Sequence, residues 1–287
     1  MKKDEFIGVF DSGLGGLSVL KNLINVMPNE KYIYLSDSKN NPYGTKSIDE
    51  IINLSIKSVE RLLSFNVKSI IIACNTATVN SYNELSKRFP HIKIFGTFPN
   101  FKNILLHQQN QIIKKHNVFF KFINKKIITD KSTDKKSILI LSTTATKNSK
   151  FIKREIKIYK KYFNIEIISA DEIVKFVESG NLNSDDFNNY IKNLLIKYKN
   201  FDNILLACTH FQFAEDLFKK FVKADCYITS NTDIPANDCF NYLKNNALLN
   251  DKSLEINILD TLFDTKREMI FKKLLDTDKI NFIYNFN

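Results

Sequence analysis

The feature that most constrains this chain is a regular alternation of short apolar runs with longer segments of helical periodicity. The runs carry Ile, Val and Leu at consecutive positions, which is typical of strands buried on both faces of a parallel sheet. They are Phe6–Phe10, Lys31–Leu35, Ser69–Ala73, Lys93–Phe95, Ile138–Leu141, Ile165–Ile168, Asn203–Ala207 and Cys226–Thr229. The helical segments between them are Leu17–Asn25, Ser47–Phe65, Val79–Arg88, Asp171–Glu178, Ser184–Lys199 and Phe213–Val222. The alternation predicts an α/β fold in which right-handed crossovers join parallel strands.

Part of this pattern occurs twice with related sequence. SIIIACNTATVN around Cys74 resembles NILLACTHFQFA around Cys208, and each places a cysteine where an apolar strand passes into a helix. Another apolar run precedes each cysteine and leads to Asp11 or to Thr143, which lie 63 and 65 residues upstream. Ligands of such sheets bind at the carboxyl ends of the strands. We therefore expect two pseudo-symmetric, doubly wound lobes whose mostly parallel sheets face a central cleft.

Glycine is scarce in this chain and unevenly placed. There are seven glycines, and Gly8, Gly13, Gly15 and Gly16 fall within nine residues. This clustering indicates that the backbone needs the freedom of glycine there. The segment resembles a phosphate-binding loop, but it contains neither G-x-x-x-x-G-K nor a complete G-x-G-x-x-G, so the nucleotide signal is weak.

The net charge of +11 raises the question of nucleic acid binding. Of the 42 basic residues only four are arginine, the residue that reads guanine through paired hydrogen bonds. The lysine excess therefore indicates a compositional bias, and we expect no specific nucleic acid partner. Residues 101–136 carry nine lysines and two aspartates. We interpret this basic insertion as a solvated surface helix and loop, with a patch for a partner or an anionic ligand as the alternative.

The cysteine content and the apolar runs bear on the compartment. Four cysteines in 287 residues are too few for a disulfide scaffold. No apolar run approaches the roughly 18 residues of a membrane-spanning helix. The start MKKDEFIGVFD does not read as a signal peptide, because acidic residues interrupt it. We expect a soluble, cytoplasmic protein with no membrane partner.

Cys74 and Cys208 are the strongest candidates for chemistry. A free cysteine is commonly a small buried apolar residue. Both of these, however, stand where a strand passes into a helix, and there backbone N–H groups and the helix dipole lower the pKa of a thiol. Polar residues follow each cysteine directly, and they are Asn75, Thr76, Thr209 and His210.

The surroundings of the two thiols argue against several familiar uses. There is no C-x-x-C motif for a redox pair, and no arginine follows either cysteine as in a phosphatase. His210 lies only two residues after Cys208, unlike the histidine of a papain-like nucleophile, and these two residues are too few for a structural zinc site. Two thiols on opposite faces of a substrate suit acid–base work on carbon, in which one removes a proton and the other delivers one.

Asp11 and the remaining candidates each have a simpler interpretation. Asp11 either caps the helix that follows it or is a carboxylate at the floor of the cleft that orders a thiol or a substrate ammonium. Tyr43 belongs to the turn NPYGT, where it can be a surface aromatic residue. Cys226 and Cys239 lack polar neighbours of the kind described above, and we interpret them as structural.

Six segments together resemble glutamate racemases, which are cofactor-independent, two-thiol enzymes of the aspartate/glutamate racemase superfamily. In chain order they are FDSGLGGLSVL, NPYGTKS, IIIACNTAT, STTATKNS, FVESG and LLACTHF, over roughly residues 6 to 240. The resemblance implies interconversion of L-glutamate and D-glutamate, with D-glutamate supplied to peptidoglycan synthesis. It also implies a cytoplasmic homodimer that needs no cofactor and no metal.

The same resemblance implies roles for individual residues. Cys74 and Cys208 would be the two catalytic acid–base groups. Asp11 would assist Cys74, whereas Glu178 and His210 would assist Cys208. The residues expected to line the amino acid are Asp11, Ser12, Tyr43, Gly44, Asn75, Thr76, Thr143, Thr209 and His210.

The family fold further implies that the chain crosses twice between its lobes. We expect residues 1–97 and 211–287 to form the first lobe, and residues 98–210 to form the second, with the basic insertion at about 101–136. Three alternatives stay open. They are an aspartate racemase or related racemase of the same superfamily, a lysine-rich nucleic acid or inhibitor protein on a racemase scaffold, and thiol redox chemistry through a reversible Cys74–Cys208 disulfide.

Overall fold

Two parallel β-sheets form the framework of the protein. The computed structural model describes residues 1–99, 101, 103–108, 135–262 and 264–284. The strands are β1 (Phe6–Asp11), β2 (Lys31–Ser36), β3 (Val67–Ile72), β4 (Ile94–Gly96), β5 (Ser137–Ser142), β6 (Asn164–Ser169), β7 (Asn203–Ala207), β8 (Tyr227–Thr229), β9 (Glu255–Asp260) and β10 (Asn281–Phe282). They pair in the orders β10-β9-β2-β1-β3-β4 and β6-β5-β7-β8. Every pairing between described strands is parallel, which confirms the predicted α/β class.

Helices connect the strands and cover the sheets. They are α1 (Leu17–Val26), α2 (Ile48–Leu63), α3 (Asn75–Arg88), α4 (Thr144–Asn148), α5 (Lys150–Tyr159), α6 (Glu172–Glu178), α7 (Asp185–Leu195), α8 (Glu215–Lys219), α9 (Ile234–Asn245) and α10 (Thr265–Leu275), and residues 103–108 are also helical. Three short 3-10 segments are Ser38–Asn40, Tyr43–Thr45 and Thr209–Ala214. Among these described helices, none combines the length and the apolar character needed to cross a membrane.

Each strand predicted from an apolar run is present, with ends that shift by one or two residues. Burial explains why the apolar runs in the sequence predicted these strands. Strands β3 and β7 are buried along their whole length, and β1, β2 and β5 are buried at every position but the first. A strand covered on both faces needs apolar side chains at consecutive positions, and this is the pattern in the sequence.

One predicted helix has a different form in the structure. The sequence predicts a helix over Phe213–Val222, whereas the chain winds as a 3-10 segment over Thr209–Ala214 before the short helix α8. The tighter winding buries the consecutive residues Thr209, His210 and Phe211. A regular surface helix buries only one stripe of its residues, so it could not enclose all three.

The change from one sheet to the other does not lie at the predicted boundary between residues 210 and 211. Strand β8 pairs with β7, so the second sheet extends to Thr229, and the chain rejoins the first sheet only when β9 pairs with β2. The backbone of β8 finds its hydrogen-bonding partner at the free edge of β7. The remaining lobe boundaries stay predictions. The basic insertion at about 101–136 lies largely outside the described residues, although Phe101 and Ile104 are buried.

The two sheets share one apolar core. The largest cluster of buried residues includes Ile7 and Val9 of β1 together with Leu139 and Leu141 of β5. Phe211, from the 3-10 segment after β7, belongs to the same cluster. The cluster therefore runs continuously from one sheet to the other, and it fixes the carboxyl ends of both sets of strands.

A buried ion pair anchors the amino edge of the first sheet. Lys68 Nζ lies 2.6 Å from Glu30 Oε2, and the two side chains are 0% and 2% exposed. The same ammonium donates to the carbonyl oxygens of Lys3 and Leu248, at 2.7 and 2.9 Å. Glu30 Oε1 accepts the N–H of Asn250 at 2.7 Å. This pair joins the start of the chain and the segment before β9 to strand β3.

We expect Lys68→Met to lower the free energy of unfolding by about 3–5 kcal/mol, because it leaves the Glu30 carboxylate buried without its counter-ion. The matched control is Lys31→Met, which removes a partly exposed pair with Glu255 at 3.5 Å. We expect the control to cost less than about 1 kcal/mol. Urea unfolding followed by circular dichroism measures both, and equal losses in the two variants would contradict this account.

Candidate active site

The two candidate cysteines follow corresponding strands of the two sheets. Cys74 comes after β3, the neighbour of β1, and Cys208 comes after β7, the neighbour of β5. Asp11 ends β1, and Thr143 follows β5. The internal repeat therefore predicted the placement correctly, because all four residues lie at the carboxyl edge of a parallel sheet.

Cys74 is a buried thiol at the start of helix α3. Its Sγ accepts the N–H of Ala77 at 3.4 Å and lies 3.7 Å from Ser12 Oγ. Burial, then the charge of Asp11 and then that of Cys208 raise the pKa of the Cys74 thiol well above its usual value, although the Ala77 N–H opposes them. The N–H of Ala77 at the helix start lowers this pKa as predicted, but burial outweighs it, so the net shift is upward. The charge of Cys208 contributes to this rise, so the two thiols interact electrostatically.

Asp11 is fully buried and serves both sides of the site. Its Oδ1 accepts the N–H of Gly13 at 2.7 Å, and its Oδ2 lies 3.4 Å from Thr209 Oγ1. Burial raises the pKa of Asp11 to about 6, and the charge of His210 and the N–H of Gly13 only partly oppose the rise. The carboxyl group can therefore take up and release a proton near neutral pH.

His210 links Cys208 to Glu178. Its Nδ1 lies 3.8 Å from Cys208 Sγ, and its Nε2 lies 2.6 Å from Glu178 Oε1. Burial lowers the pKa of His210, but hydrogen bonds to Cys208 and Glu178 outweigh it, and the pKa is well above its usual value. For Glu178 burial acts in the opposite direction and raises the pKa. The hydrogen bond and charge of His210 and the N–H of Leu14 outweigh burial, so the pKa of Glu178 is below its usual value. These shifts favour a charged His210–Glu178 pair beside the thiol.

The clustered glycines make room for this pair. A Cβ atom on Gly13 would overlap Glu178 Oε1, and one on Gly15 would overlap the ring of His210. The N–H of Leu14, between them, donates to Glu178 Oε1 at 2.7 Å. Gly13 and Gly15 therefore lack side chains because groups from the second half of the chain pack directly against them, which gives these glycines a role other than phosphate binding.

Hydroxyl and amide groups line the side of the site near Cys74. Thr76 Oγ1 lies 2.9 Å from Thr143 Oγ1 and 3.2 Å from Thr146 Oγ1, which brings helix α3 against the start of helix α4. Asn75 donates to the carbonyl oxygen of Thr97 at 2.6 Å. Its buried Oδ1 has no hydrogen-bond partner among the described residues. These groups offer donors for a carboxylate and one acceptor for an N–H.

The turn at Tyr43–Thr45 closes the site from the first sheet. Tyr43 is buried, and its hydroxyl donates to Asp37 Oδ2 at 2.7 Å, so it is not a surface residue. A Cβ on Gly44 would come within 2.8 Å of Asp171 Oδ1 and of Thr143 Cβ. The turn therefore packs directly against residues of the second sheet.

The structure brings the predicted site residues together in a set of linked groups. Contacts join Ser12 with Cys74, Asp11 with Thr209, Thr76 with Thr143, Cys208 with His210, and His210 with Glu178. Cys239 is buried 3.6 Å from Ser69, and Cys226 is half-buried, both away from these groups. In the described part of the chain, no three His, Cys, Asp or Glu side chains are grouped to hold a metal ion.

Sequence reasoning missed two residues of this region. Thr146 supplies the third hydroxyl of the set formed with Thr76 and Thr143. Its position three residues after Thr143 was the only signal for it in the sequence. Arg267 donates to Glu178 Oε2 at 3.2 Å. The sequence offered one signal for Arg267, which is the rarity of arginine: only four of the 42 basic residues are arginines.

Comparisons with known proteins show relatives in sequence and in fold. No protein-family model matches the sequence. A curated glutamate racemase from Clostridium botulinum is 33% identical over 280 residues, which cover 96% of this chain and 99% of that protein. A solved glutamate racemase isoform from Bacillus anthracis matches with a TM-score of 0.77 and 23% identity, over 99% of this chain and 98% of that one. One from Francisella tularensis in complex with D-glutamate matches with a TM-score of 0.76 and 22% identity, over the same shares.

The raised pKa of Asp11 predicts a pH-dependent stability. With a folded pKa of about 6 against an ordinary 3.8, the folded state favours the protonated carboxyl group. This contribution is fully present below the ordinary pKa and is lost as the pH rises through about 6, for a total of about 3 kcal/mol. We therefore expect the wild type to lose about this much stability relative to Asp11→Asn between about pH 3 and pH 7, with roughly two thirds of the loss between pH 4 and pH 6. Urea unfolding at several pH values measures the difference, and a constant difference would contradict the prediction.

Proposed function

The chain belongs to the glutamate racemase family, and from this premise we propose that it interconverts L-glutamate and D-glutamate with Cys74 and Cys208 as paired acid–base groups. The observation that carries the proposal is that a contact between Asp11 and Thr209 joins the corresponding strand ends beside two buried thiols. Each has its own proton-holding neighbours, namely Asp11 on one side and His210 with Glu178 on the other. Two separate acid–base groups are what inversion at carbon requires, because the proton leaves one face and returns to the other.

The proposed substrate site lies between the two thiols. We assign its lining to Asp11, Ser12, Tyr43, Gly44, Asn75, Thr76, Thr143, Thr209 and His210. The unpartnered Oδ1 of Asn75 suits an ammonium or amide hydrogen, and the Thr76 and Thr143 hydroxyls suit a carboxylate. Glutamate carries one ammonium and two carboxylates, and the Francisella tularensis relative was solved with D-glutamate.

The reaction exchanges one proton on each face of the α-carbon. A thiolate removes the α-proton, and the electron pair left on carbon is stabilised through the adjacent carboxylate and the surrounding donors. The opposite thiol then gives its proton to the other face of the same carbon. One C–H bond breaks and one forms, so the reaction needs no electron acceptor, and the proposal invokes neither a cofactor nor a metal.

The neighbours of each thiol reset its protonation. The raised pKa of Cys74 keeps it a thiol at neutral pH, so it suits the proton donor of the resting enzyme. Asp11, with a pKa of about 6, can accept a proton when Cys74 has to act as the base. His210 exchanges a proton with Cys208 across 3.8 Å, and Glu178 stabilises the imidazolium.

The biological setting is part of the same proposal. We propose that the D-glutamate supplies peptidoglycan synthesis, and that the protein acts as a homodimer in the cytoplasm. Light scattering on the purified protein tests the dimer, for which the expected mass is twice that of the 33.3 kDa chain. A monomer at catalytic concentration would remove that part of the proposal and leave the chemistry intact.

Proton NMR of L-glutamate in deuterated buffer tests the proposed chemistry. We expect the wild type, with no added cofactor, to deplete the α-proton signal while D-glutamate appears. Cys74→Ala and Cys208→Ala should each lose racemisation by at least roughly 1,000-fold, because each removes a proton carrier with no substitute. Cys226→Ala is the matched control, since its half-buried thiol lies outside the linked site groups, and it should keep wild-type activity.

Other outcomes separate the alternatives. If L-aspartate, run in parallel, exchanged and L-glutamate did not, the thiol chemistry would stand and the substrate assignment would fall. Full activity in either alanine variant would contradict the two-thiol mechanism. A Cys74–Cys208 disulfide that forms reversibly, with neither substrate exchanging, would favour redox chemistry instead.

A further inference from the structure

Arg267 is a buried arginine that reaches the site from the late part of the chain. It lies in the first turn of α10, where its N–H donates to the capping Asp264 at 2.7 Å. Its side chain is only 9% exposed. The guanidinium donates to Asp260 at the end of β9, to Ser38 after β2, and to Glu178 at the end of α6. One group thus joins three elements at the carboxyl edge of the first sheet.

The two oxygens of the Glu178 carboxylate have different partners. Oε1 faces His210 Nε2 at 2.6 Å and accepts the N–H of Leu14 at 2.7 Å. Oε2 accepts from Arg267 Nη1 at 3.2 Å. Because the guanidinium holds Oε2, the carboxylate is fixed in the orientation in which Oε1 faces the imidazole.

Resting on the proposed function, we propose that Arg267 is a positioning residue for the Cys208 half of the reaction. It holds Glu178 in the orientation that turns His210 Nδ1 toward the Cys208 thiol. Arg267 acts through Glu178, since its other two described side-chain partners, Asp260 and Ser38, are not among the residues assigned to the substrate site.

Charge and shape both favour this role over simple packing. Asp260 alone balances the charge of Arg267, so the additional contact with Glu178 is not needed for neutrality. Together, Arg267 and protonated His210 balance the carboxylates of Asp260 and Glu178. A guanidinium presents donors in three fixed directions, whereas a lysine ammonium is a point charge on a flexible stem. Arginine therefore suits this position better than lysine, although the chain otherwise uses lysine for most of its positive charge.

The test is a double-variant cycle that combines Arg267→Met with Glu178→Gln, assayed by glutamate racemisation. We expect Arg267→Met alone to lower kcat roughly 10- to 100-fold, the range seen when a group that orients a reacting side chain is removed. KM should change little, since Arg267 does not touch the substrate site. In the Glu178→Gln background, Arg267→Met should lower kcat by less than about threefold, because the carboxylate through which Arg267 acts is already absent.

Two further variants keep the test decisive. Arg267→Lys retains the charge but not the fork of donors, and we expect a kcat between those of the wild type and Arg267→Met. If Arg267→Met does not fold, as judged by circular dichroism, the cycle is run with Arg267→Lys. Lys266→Met removes an exposed charge from the same turn and should stay within about twofold of the wild type in kcat and KM.

The outcomes distinguish this proposal from the proposed function. Equal losses in the wild-type and Glu178→Gln backgrounds would mean that Arg267 only stabilises the fold, and would overturn the positioning role alone. Wild-type kcat in Arg267→Met and Arg267→Lys would do the same. An inactive wild type would overturn both the function and the role that rests on it.

Discussion

The structure of the site depends on the hydrogen bond between Glu178 and the main chain of the glycine loop. Because the Leu14 N–H and the His210 imidazole share one carboxylate oxygen, the second half of the chain is held directly against the end of β1. The approach leaves no room for a Cβ at Gly13 or Gly15. The contact brings Asp11 and Thr209 together across the same junction, and so it places the two halves of the proton-transfer apparatus in one site.

Burial then gives the two sides of the site different properties. Cys74 has a carboxyl neighbour, and burial raises the pKa of both groups, which keeps protons on that side. Cys208 has a histidine neighbour whose charge is stabilised by Glu178. The two halves of the internal repeat therefore place their thiols at corresponding positions but give them different neighbours. The difference arises from the residues that pack around each cysteine and from the junctions themselves, since Cys74 caps an α-helix and Cys208 leads into a 3-10 segment.

The sequence predicts the central parts of this structure because those parts are buried on both sides. Strands such as β3 and β7 are continuous apolar runs, and the two cysteines share a local pattern with a matching upstream strand. Strand β9 was missed, since the polar Asn257 interrupts its apolar residues. Arg267 was missed because its partners are distant in sequence, and local patterns carry no information on such contacts. The pKa of Cys74 was misjudged for a similar reason, since burial depends on the whole fold.

The position of β9 within the first sheet has a consequence for how the protein is made. Synthesis proceeds from the amino end, so β2 leaves the ribosome well before Glu255–Asp260, the strand that pairs with its outer edge. During this interval β2 presents a row of unpaired backbone groups beside apolar side chains, a surface to which strands of other chains can add. The nascent chain therefore keeps an edge open to other strands until its last elements appear. Arrival of β9 closes that edge, and the helix that follows delivers Arg267 in the same step, so the completed sheet and the completed site appear together.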